Sequence, residues 1–243
     1  MDSLRRLLKI KDLQGKTFLD IGCGSGLFSL AACLLGAEQV VAFDYDPDSV
    51  KASMDMRTRA NIPPGKWQIL QGSILDQEFL NTLDPADIVY AWGVLYHTGA
   101  MWQAIDNTVS KVKPGGILAI AIYNHVENYV GGSAMWWHIK RFYNHSPYIF
   151  RYLLEYAYVT SFILYRFLTL RNPFKVIRHY GGGDGRGMDF RHDVRDWLGG
   201  FPYEYATAGE VFNYLHNKFN LQLEYLNTHD GHGCNEFTFR RLS

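Results

Sequence analysis

Cysteine is scarce in this 243-residue chain: Cys23, Cys33 and Cys234 are the only three, and no two form a C-x-x-C pair. An odd, scattered set argues against a disulfide framework or a cysteine-based zinc site and points to a reducing, cytoplasmic compartment. Net charge is absent as well, because 24 basic residues balance 24 acidic ones, so no whole-molecule field draws the chain to nucleic acid. The N-terminal MDSLRRLLKIKDLQGK lacks a long apolar run after its basic residues and does not read as a secretory signal. The one stretch of membrane-spanning length, residues 147–170, is interrupted by Arg151, Glu155 and Arg166 within roughly one helical sector. That pattern predicts an amphipathic helix, not a spanning one. Apolar residues, in contrast, make up 47 % of the chain against 20 % charged, enough for one large core.

Residues 17–122 alternate short β-rich runs with helical patterns, the signature of βαβ units around a parallel sheet covered on both faces. The runs TFLDI, QVVAFD, WQILQ, ADIVYAW and ILAIAI are the expected strands. Asp46 before Pro47 is an N-cap with proline at the first helical position, and Gly36 ends a helix begun at Leu27. Pro114, Gly115 and Gly116 predict a tight turn into the fifth strand. After Asn124 the alternation lapses for about eighty residues and resumes with a capping box, Thr207 and Glu210, then two antiparallel strands, LQLEYL and NEFTFR. The expected fold is α/β: a Rossmann-like, doubly wound seven-stranded sheet, six strands parallel and the last antiparallel, with a helical, aromatic-rich cap inserted between strands five and six. The corresponding division is 1–124 for the α/β core, 125–205 for the cap and 206–243 for the helix and hairpin that complete the sheet.

DIGCGSG, residues 20–26, sits where the first strand gives way to a helix, and each glycine removes a side chain where backbone must approach a ligand. Such a bend serves dinucleotides, nucleoside cofactors or plain packing, and its G-x-G-x-G spacing departs from the dinucleotide fingerprint. Asp44 ends the second strand about twenty residues later, where a carboxylate can accept hydrogen bonds from both ribose hydroxyls. Cys23, inside the bend at a helix start, reads as a small loop residue; to act as a nucleophile it would need a base beside it.

These residues resemble the class I S-adenosylmethionine-dependent methyltransferases over roughly residues 10–124 and the final strand pair. FLDIGCGSG looks like that family's first motif, VVAFDYD its ribose-binding strand end, QGSILD its adenine-contacting turn, and DIVYAWGVLYHTG its fourth strand and following loop. The resemblance implies S-adenosylmethionine as cofactor and S-adenosylhomocysteine as product. It assigns Gly22, Gly24 and Gly26 to the cofactor's amino-acid part, with Asp20, Cys23 and Ser25 of the same bend also in the cofactor site, Asp44 to the ribose, Tyr45 to the adenine face, and Ser73 and Ile74 to its edge. Trp92 and Gly93 join the cofactor site from the fourth loop. Many members carry an acidic residue where this chain has Ser73. WGVLYHTG and GCNEF look most like small-molecule methyltransferases related to those of quinone biosynthesis, although Gly93 and Tyr96 stand beside His97 where metal-dependent members carry acidic residues. No metal is therefore expected through that motif; His229, Asp230 and His232 are of metal-binding type, but a short glycine-containing hairpin holds such residues for turn geometry alone, and none is expected there either.

In an open α/β sheet the ligand lies beyond the carboxyl ends of the parallel strands, so residues 92–98, 123–125 and 228–235 are expected to converge. Methyl transfer from a sulfonium is an in-line displacement that needs alignment foremost and a base only for an acceptor of high pKa. His97 and His232, then His125, are the base candidates, and Tyr96 could orient substrate. Residues 138–196 hold ten basic residues against five acidic ones. Such a cap suits a small-molecule acceptor, apolar with an anionic group, or a peripheral membrane contact. Within it, GGGDGRG could be a hinge, and Arg191, His192, Asp193 and Arg195 could bind an anion. The expectation is O-methylation of a small molecule. The alternatives are N- or S-methylation, RNA or protein methylation, a non-catalytic S-adenosylmethionine-binding protein, and an NAD-dependent oxidoreductase.

Overall fold

The computed structural model describes residues 1–172, 177–178 and 190–242. Its strands are β1 (Thr17–Ile21), β2 (Gln39–Asp44), β3 (Trp67–Gln71), β4 (Ala86–Ala91), β5 (Val112–Tyr123), β6 (Leu221–Asn227) and β7 (Cys234–Arg241). They form one sheet in the order β3-β2-β1-β4-β5-β7-β6. The pairs joining β1 to β5 are parallel, and β7 runs antiparallel to both β5 and β6. This is the Rossmann-like, seven-stranded arrangement expected from the sequence.

The chain divides into two compact units, residues 1–126 with 204–243, and residues 127–203. In the first, successive strand residues alternate between two cores. Leu19, Val89, Leu118 and Phe237 face α4 (Gln77–Asn81), α5 (Met101–Ser110) and α9 (Ala208–Phe219), while Phe18, Val40, Ile88 and Ala119 face α1 (Asp2–Leu8), α2 (Leu27–Leu34) and α3 (Pro47–Arg59). Period-two alternation with both faces covered is what a sheet wound on two sides requires. The cap signals fold as read: the Asp46 carboxylate accepts from the Asp48 and Ser49 N–H groups, and Thr207 and Glu210 close a capping box. Helix α1 was not anticipated, although Leu4, Leu7 and Leu8 at i, i+3 and i+4 are buried.

The fifth strand corrects the sequence reading. Pro114, Gly115 and Gly116 do not form a turn before it; β5 already begins at Val112, and these residues occupy a break in its ladder, where Ala86 pairs Val112 but Ile88 pairs Ile117. At that break Asp87 accepts the Thr17 N–H (2.9 Å), the Thr17 hydroxyl (2.7 Å) and Lys113 Nζ (3.1 Å), tying the starts of β1, β4 and β5 together.

The second unit contains α6 (Ser133–His145), α7 (Tyr148–Leu168) and α8 (Phe190–Gly199), whose buried centre is Tyr143, Phe190, Val194 and Leu198. No described helix is long and apolar enough to cross a membrane. In α7, Glu155 accepts the Tyr143 hydroxyl (2.8 Å) and Arg195 Nε (3.1 Å), so Arg195 is engaged within the unit. Lys140 is fully buried on α6; its ammonium donates to the Trp197 carbonyl and lies 3.9 Å and 4.9 Å from the Trp197 and Tyr203 ring centres. Ring faces favour the charged form, but burial prevails and pushes the amine down to about 7.

Two stability tests arise from these groups. Burial raises the Asp87 carboxyl, but the bonds from Thr17 and Lys113 outweigh it and hold the group at about 2, below its ordinary 3.8. A depressed carboxyl stabilises the fold above its unfolded pKa and loses that contribution as pH falls through its folded one. Asp87→Asn should therefore lower unfolding stability by about 1–2 kcal/mol at pH 7, with the difference from the parent narrowing from pH 4 to pH 2 in denaturant titrations. Lys140 has the opposite sign: the unfolded chain holds the proton between about 7 and 10.5 and the folded one releases it. The second unit should gain stability as pH rises through that window, and Lys140→Met should remove the dependence in amide exchange of α6 and α8.

Candidate functional site

The bend between β1 and α2 hangs on the neighbouring strand. The Gly22 and Cys23 N–H groups both donate to the Phe43 carbonyl, at 2.9 Å and 3.1 Å, and Gly26 N–H closes on the Cys23 carbonyl. Gly22, Gly24 and Gly26 have φ of 69°, 53° and 80°, a left-handed region that L side chains rarely occupy. Their surroundings differ. A Cβ on Gly22 would strike Val94, and one on Gly26 would strike Trp67 and Ser53, so these two glycines permit packing. A Cβ on Gly24 would meet nothing within 4 Å, so the space beside its backbone is open.

Asp44 closes β2 beside this bend. Its Oδ2 accepts the Gly24 N–H at 2.9 Å and its Oδ1 accepts the Asp46 N–H at 3.0 Å. Both bonds fix the carboxylate while leaving lone pairs to accept further donors. Asp20 takes a different position: only 2 % exposed, it accepts the Ser29 hydroxyl at 2.5 Å. Burial, with the charge of Asp44 nearby, outweighs that hydrogen bond and pushes its carboxyl up to about 7. Asp20 thus lies beneath the bend, bonded to the following helix. Cys23 is buried with its sulfur 3.5 Å from the Ser53 hydroxyl, and burial and Asp20 raise its thiol to about 12, so it holds no thiolate near neutrality.

The remaining cofactor candidates line the adjacent strand ends. Ser25 is exposed on the bend and Tyr45 is 79 % exposed after β2. The Ser73 hydroxyl accepts the Leu75 N–H at 3.1 Å; Ile74 is buried, and its carbonyl accepts from the Asn107 amide at 2.8 Å. After β4, Gly93 has φ of 83° and Trp92 Nε1 donates to Glu236 Oε1 at 3.0 Å.

The three expected loops do meet. The Tyr96 ring lies 4.0 Å from that of Tyr123, and His97 makes an edge contact with Tyr123 at 5.7 Å. The Asn124 side chain reaches residues 229–231, while His125 stacks on Tyr205 at 5.1 Å and donates its backbone N–H to the Ala206 carbonyl. Tyr96 departs from its expected role: 3 % exposed, with its hydroxyl 3.3 Å from Cys234 Sγ, it belongs to the core under the rim. Burial first, then the Cys234 and Tyr123 neighbours, raises its phenol well above the ordinary value, so it cannot serve as a base. His97, His125 and His232 are half-buried, and His229 and Asp230 are exposed. Among the described residues no three His, Cys, Asp or Glu side chains group to hold a metal ion.

Sequence reading missed Glu204 and Glu236. Both Glu204 carboxylate oxygens accept the Met101 N–H at 3.1 Å, capping α5 from 103 residues away. Glu236 holds Trp92 and also accepts from Asn227. Neither contact has a local signature. The glycine run 181–187 and its hinge reading lie outside the described residues.

With this geometry in view, residues 3–130 match the family model described as ribosomal protein L11 methyltransferase (PrmA). A ribosomal protein L11 methyltransferase of Azotobacter vinelandii is 38 % identical over 111 residues, 46 % of this chain and 35 % of the relative. One from Pseudomonas aeruginosa is 35 % identical over the same shares. The chain thus spans about a third of the length of these curated relatives. Among solved structures, an O-methyltransferase family protein from Burkholderia thailandensis aligns at a TM-score of 0.60 and 12 % identity over 100 % of this chain and 56 % of that one. The N-methyltransferase NodS from Bradyrhizobium japonicum, in complex with S-adenosylhomocysteine, aligns at 0.55 and 16 % over 100 % and 85 %. At such identities these likenesses speak for the fold.

The relatives correct the partner expectation. They are named for a ribosomal protein, which overturns the small-molecule acceptor and the exclusion of a nucleic-acid setting. The quinone-type subgroup is not what the relatives name; it was read partly from GCNEF, which lies beyond the matched segment. With more than half of its residues in that match, the chain belongs to the ribosomal protein L11 methyltransferase (PrmA) family, within the class I S-adenosylmethionine-dependent methyltransferases.

Proposed function

We propose that this chain binds S-adenosylmethionine at the Gly24 bend and Asp44 and directs its methyl group to a nucleophile carried by a protein. One observation carries the donor half: a strand-end carboxylate fixed by two backbone N–H groups, beside a glycine with open space where a side chain would stand. The acceptor half is supported by relatives named for ribosomal protein L11, of which the chain spans 35 %. When bound, S-adenosylmethionine supplies a methyl carbon already activated by the sulfonium.

The chain's own residues have the tasks of gripping and aligning. Asp44 accepts the ribose hydroxyls on its remaining lone pairs. Gly22, Gly24 and Gly26 present backbone to the amino-acid part, and Ser25 and Cys23 complete the bend. Tyr45, Ser73 and Ile74 border the adenine, with Trp92 and Gly93 at the reactive side. His97 and His232 would take a proton from the acceptor, with His125, its ring stacked on Tyr205, as the third candidate. Asp20 adds a charge beneath the bend that develops as pH passes about 7.

Calorimetry and labelled-methyl transfer onto purified ribosomal protein L11 test both halves. Asp44→Ala should weaken S-adenosylhomocysteine binding at least tenfold, whereas His97→Ala and His232→Ala should keep it and slow transfer by about 10²-fold. Full rate in both histidine variants would remove the base assignment. Because the donor carries a positive sulfonium and the product does not, the preference for S-adenosylmethionine over S-adenosylhomocysteine should rise between pH 6 and pH 8 as Asp20 ionises. Asp20→Asn should flatten that rise; an unchanged profile would show that Asp20 does not sense the sulfonium.

A further inference from the structure

Asn124 follows the last residue of β5, and its side chain is directed at the loop between β6 and β7. Its Nδ2 donates to the His229 carbonyl at 2.7 Å and to the Gly231 carbonyl at 3.2 Å, and its backbone N–H donates to the Gly233 carbonyl at 3.0 Å. Its Oδ1 accepts from Asn235 Nδ2 at 3.0 Å. Asn235 is itself 1 % exposed, and its Oδ1 accepts the His229 N–H at 3.2 Å. The two amides therefore join each other and hold the loop by both its carbonyls and its N–H. A Cβ on Gly233 would lie 3.0 Å from the His229 ring, so the loop is also wound tightly on itself.

This loop leaves the carboxyl end of β6, the rim on which an open α/β sheet places its ligand. It carries His229, Asp230 and His232, and it adjoins the turn holding His97 through the Tyr96 to Cys234 and Tyr96 to Tyr123 contacts. A loop of exposed polar residues would otherwise sample many backbone states. A buried amide at 235 and a half-buried one at 124, with complementary donors and acceptors, remove that freedom, and misplacement of an aligning wall by about 1 Å can cost about 10²-fold in rate.

We propose that Asn124 and Asn235 form a positioning pair that fixes residues 228–233 as the acceptor-side wall of the transfer site. The assignment rests on the transferase reading above and deepens it. Neither amide is a catalytic residue; both act through the backbone of the loop. The chemistry demands an amide at 124, because a carboxylate of the same shape turns two donors into lone pairs facing two carbonyl oxygens.

Asn124→Asp tests this in the full chain, with labelled S-adenosylmethionine and purified ribosomal protein L11 as acceptor. The pair predicts a fall of tenfold or more in kcat/KM for the acceptor, S-adenosylhomocysteine affinity within about twofold, and faster amide exchange confined to residues 229–235. Asn235→Ala should cost about as much, and the double variant little more than either. Asn124→Ala carries the same expectation if the aspartate variant does not fold. Unchanged turnover, or donor affinity falling in step with it, would overturn the pair while leaving the transferase reading intact. A parent chain that binds S-adenosylhomocysteine but methylates no ribosomal protein would overturn the acceptor reading and the pair's role with it.

Discussion

The bonds from the Gly24 and Asp46 backbones to the Asp44 carboxylate link the ends of two neighbouring strands, and the site depends on that link. A free carboxylate at a strand end would be solvated and mobile. Here one oxygen is held by the glycine bend after β1 and the other by the chain entering α3. Asp46 in turn caps that helix, so strand end, bend and helix start form one connected unit. Charged acceptors of this kind hold their donors more firmly than neutral ones. Asp20, buried under the same bend, adds a proton-dependent charge close to Asp44.

The opposite side of the site is built by other means. Among the described residues, the rim beyond β4, β5 and β6 holds a short turn at Leu95–His97 and an isolated bridge between Asn124 and Ala206. Long-range side-chain contacts hold it: Glu236 on Trp92, Glu204 on the start of α5, Asn124 on residues 229–231. The bend and the Asp44 end of β2 are thus a local backbone motif, whereas the opposite rim is assembled from residues more than a hundred positions apart.

That contrast explains what the sequence disclosed. β1, β2 and β3 carry short apolar runs bounded by turn residues, and the structure places them at the expected limits. The Asp46 cap and the Thr207 box are local chemistry and were legible for the same reason. The start of β5 was not, because Pro114 and two glycines signal a turn in isolation while Asp87 holds that segment in the ladder through Thr17 and Lys113. Tyr96 was placed among the catalytic candidates because its neighbours in sequence face the rim; only the fold shows its ring turned inward to Cys234. The small-molecule expectation was drawn from the chemistry of the cap, the GCNEF tail and the loop WGVLYHTG, of which only the last lies inside the segment matched by the family model.

The central claim is that the open glycine and the fixed carboxylate together receive an adenosyl donor. Its most direct measurement is a titration of isotope-labelled protein with S-adenosylhomocysteine, followed by backbone amide resonances. Shifts in Gly22, Gly24, Gly26 and Asp46 that saturate together as one site are the predicted result. A folded protein whose bend and β2-end resonances stay in place at saturating ligand would contradict the account.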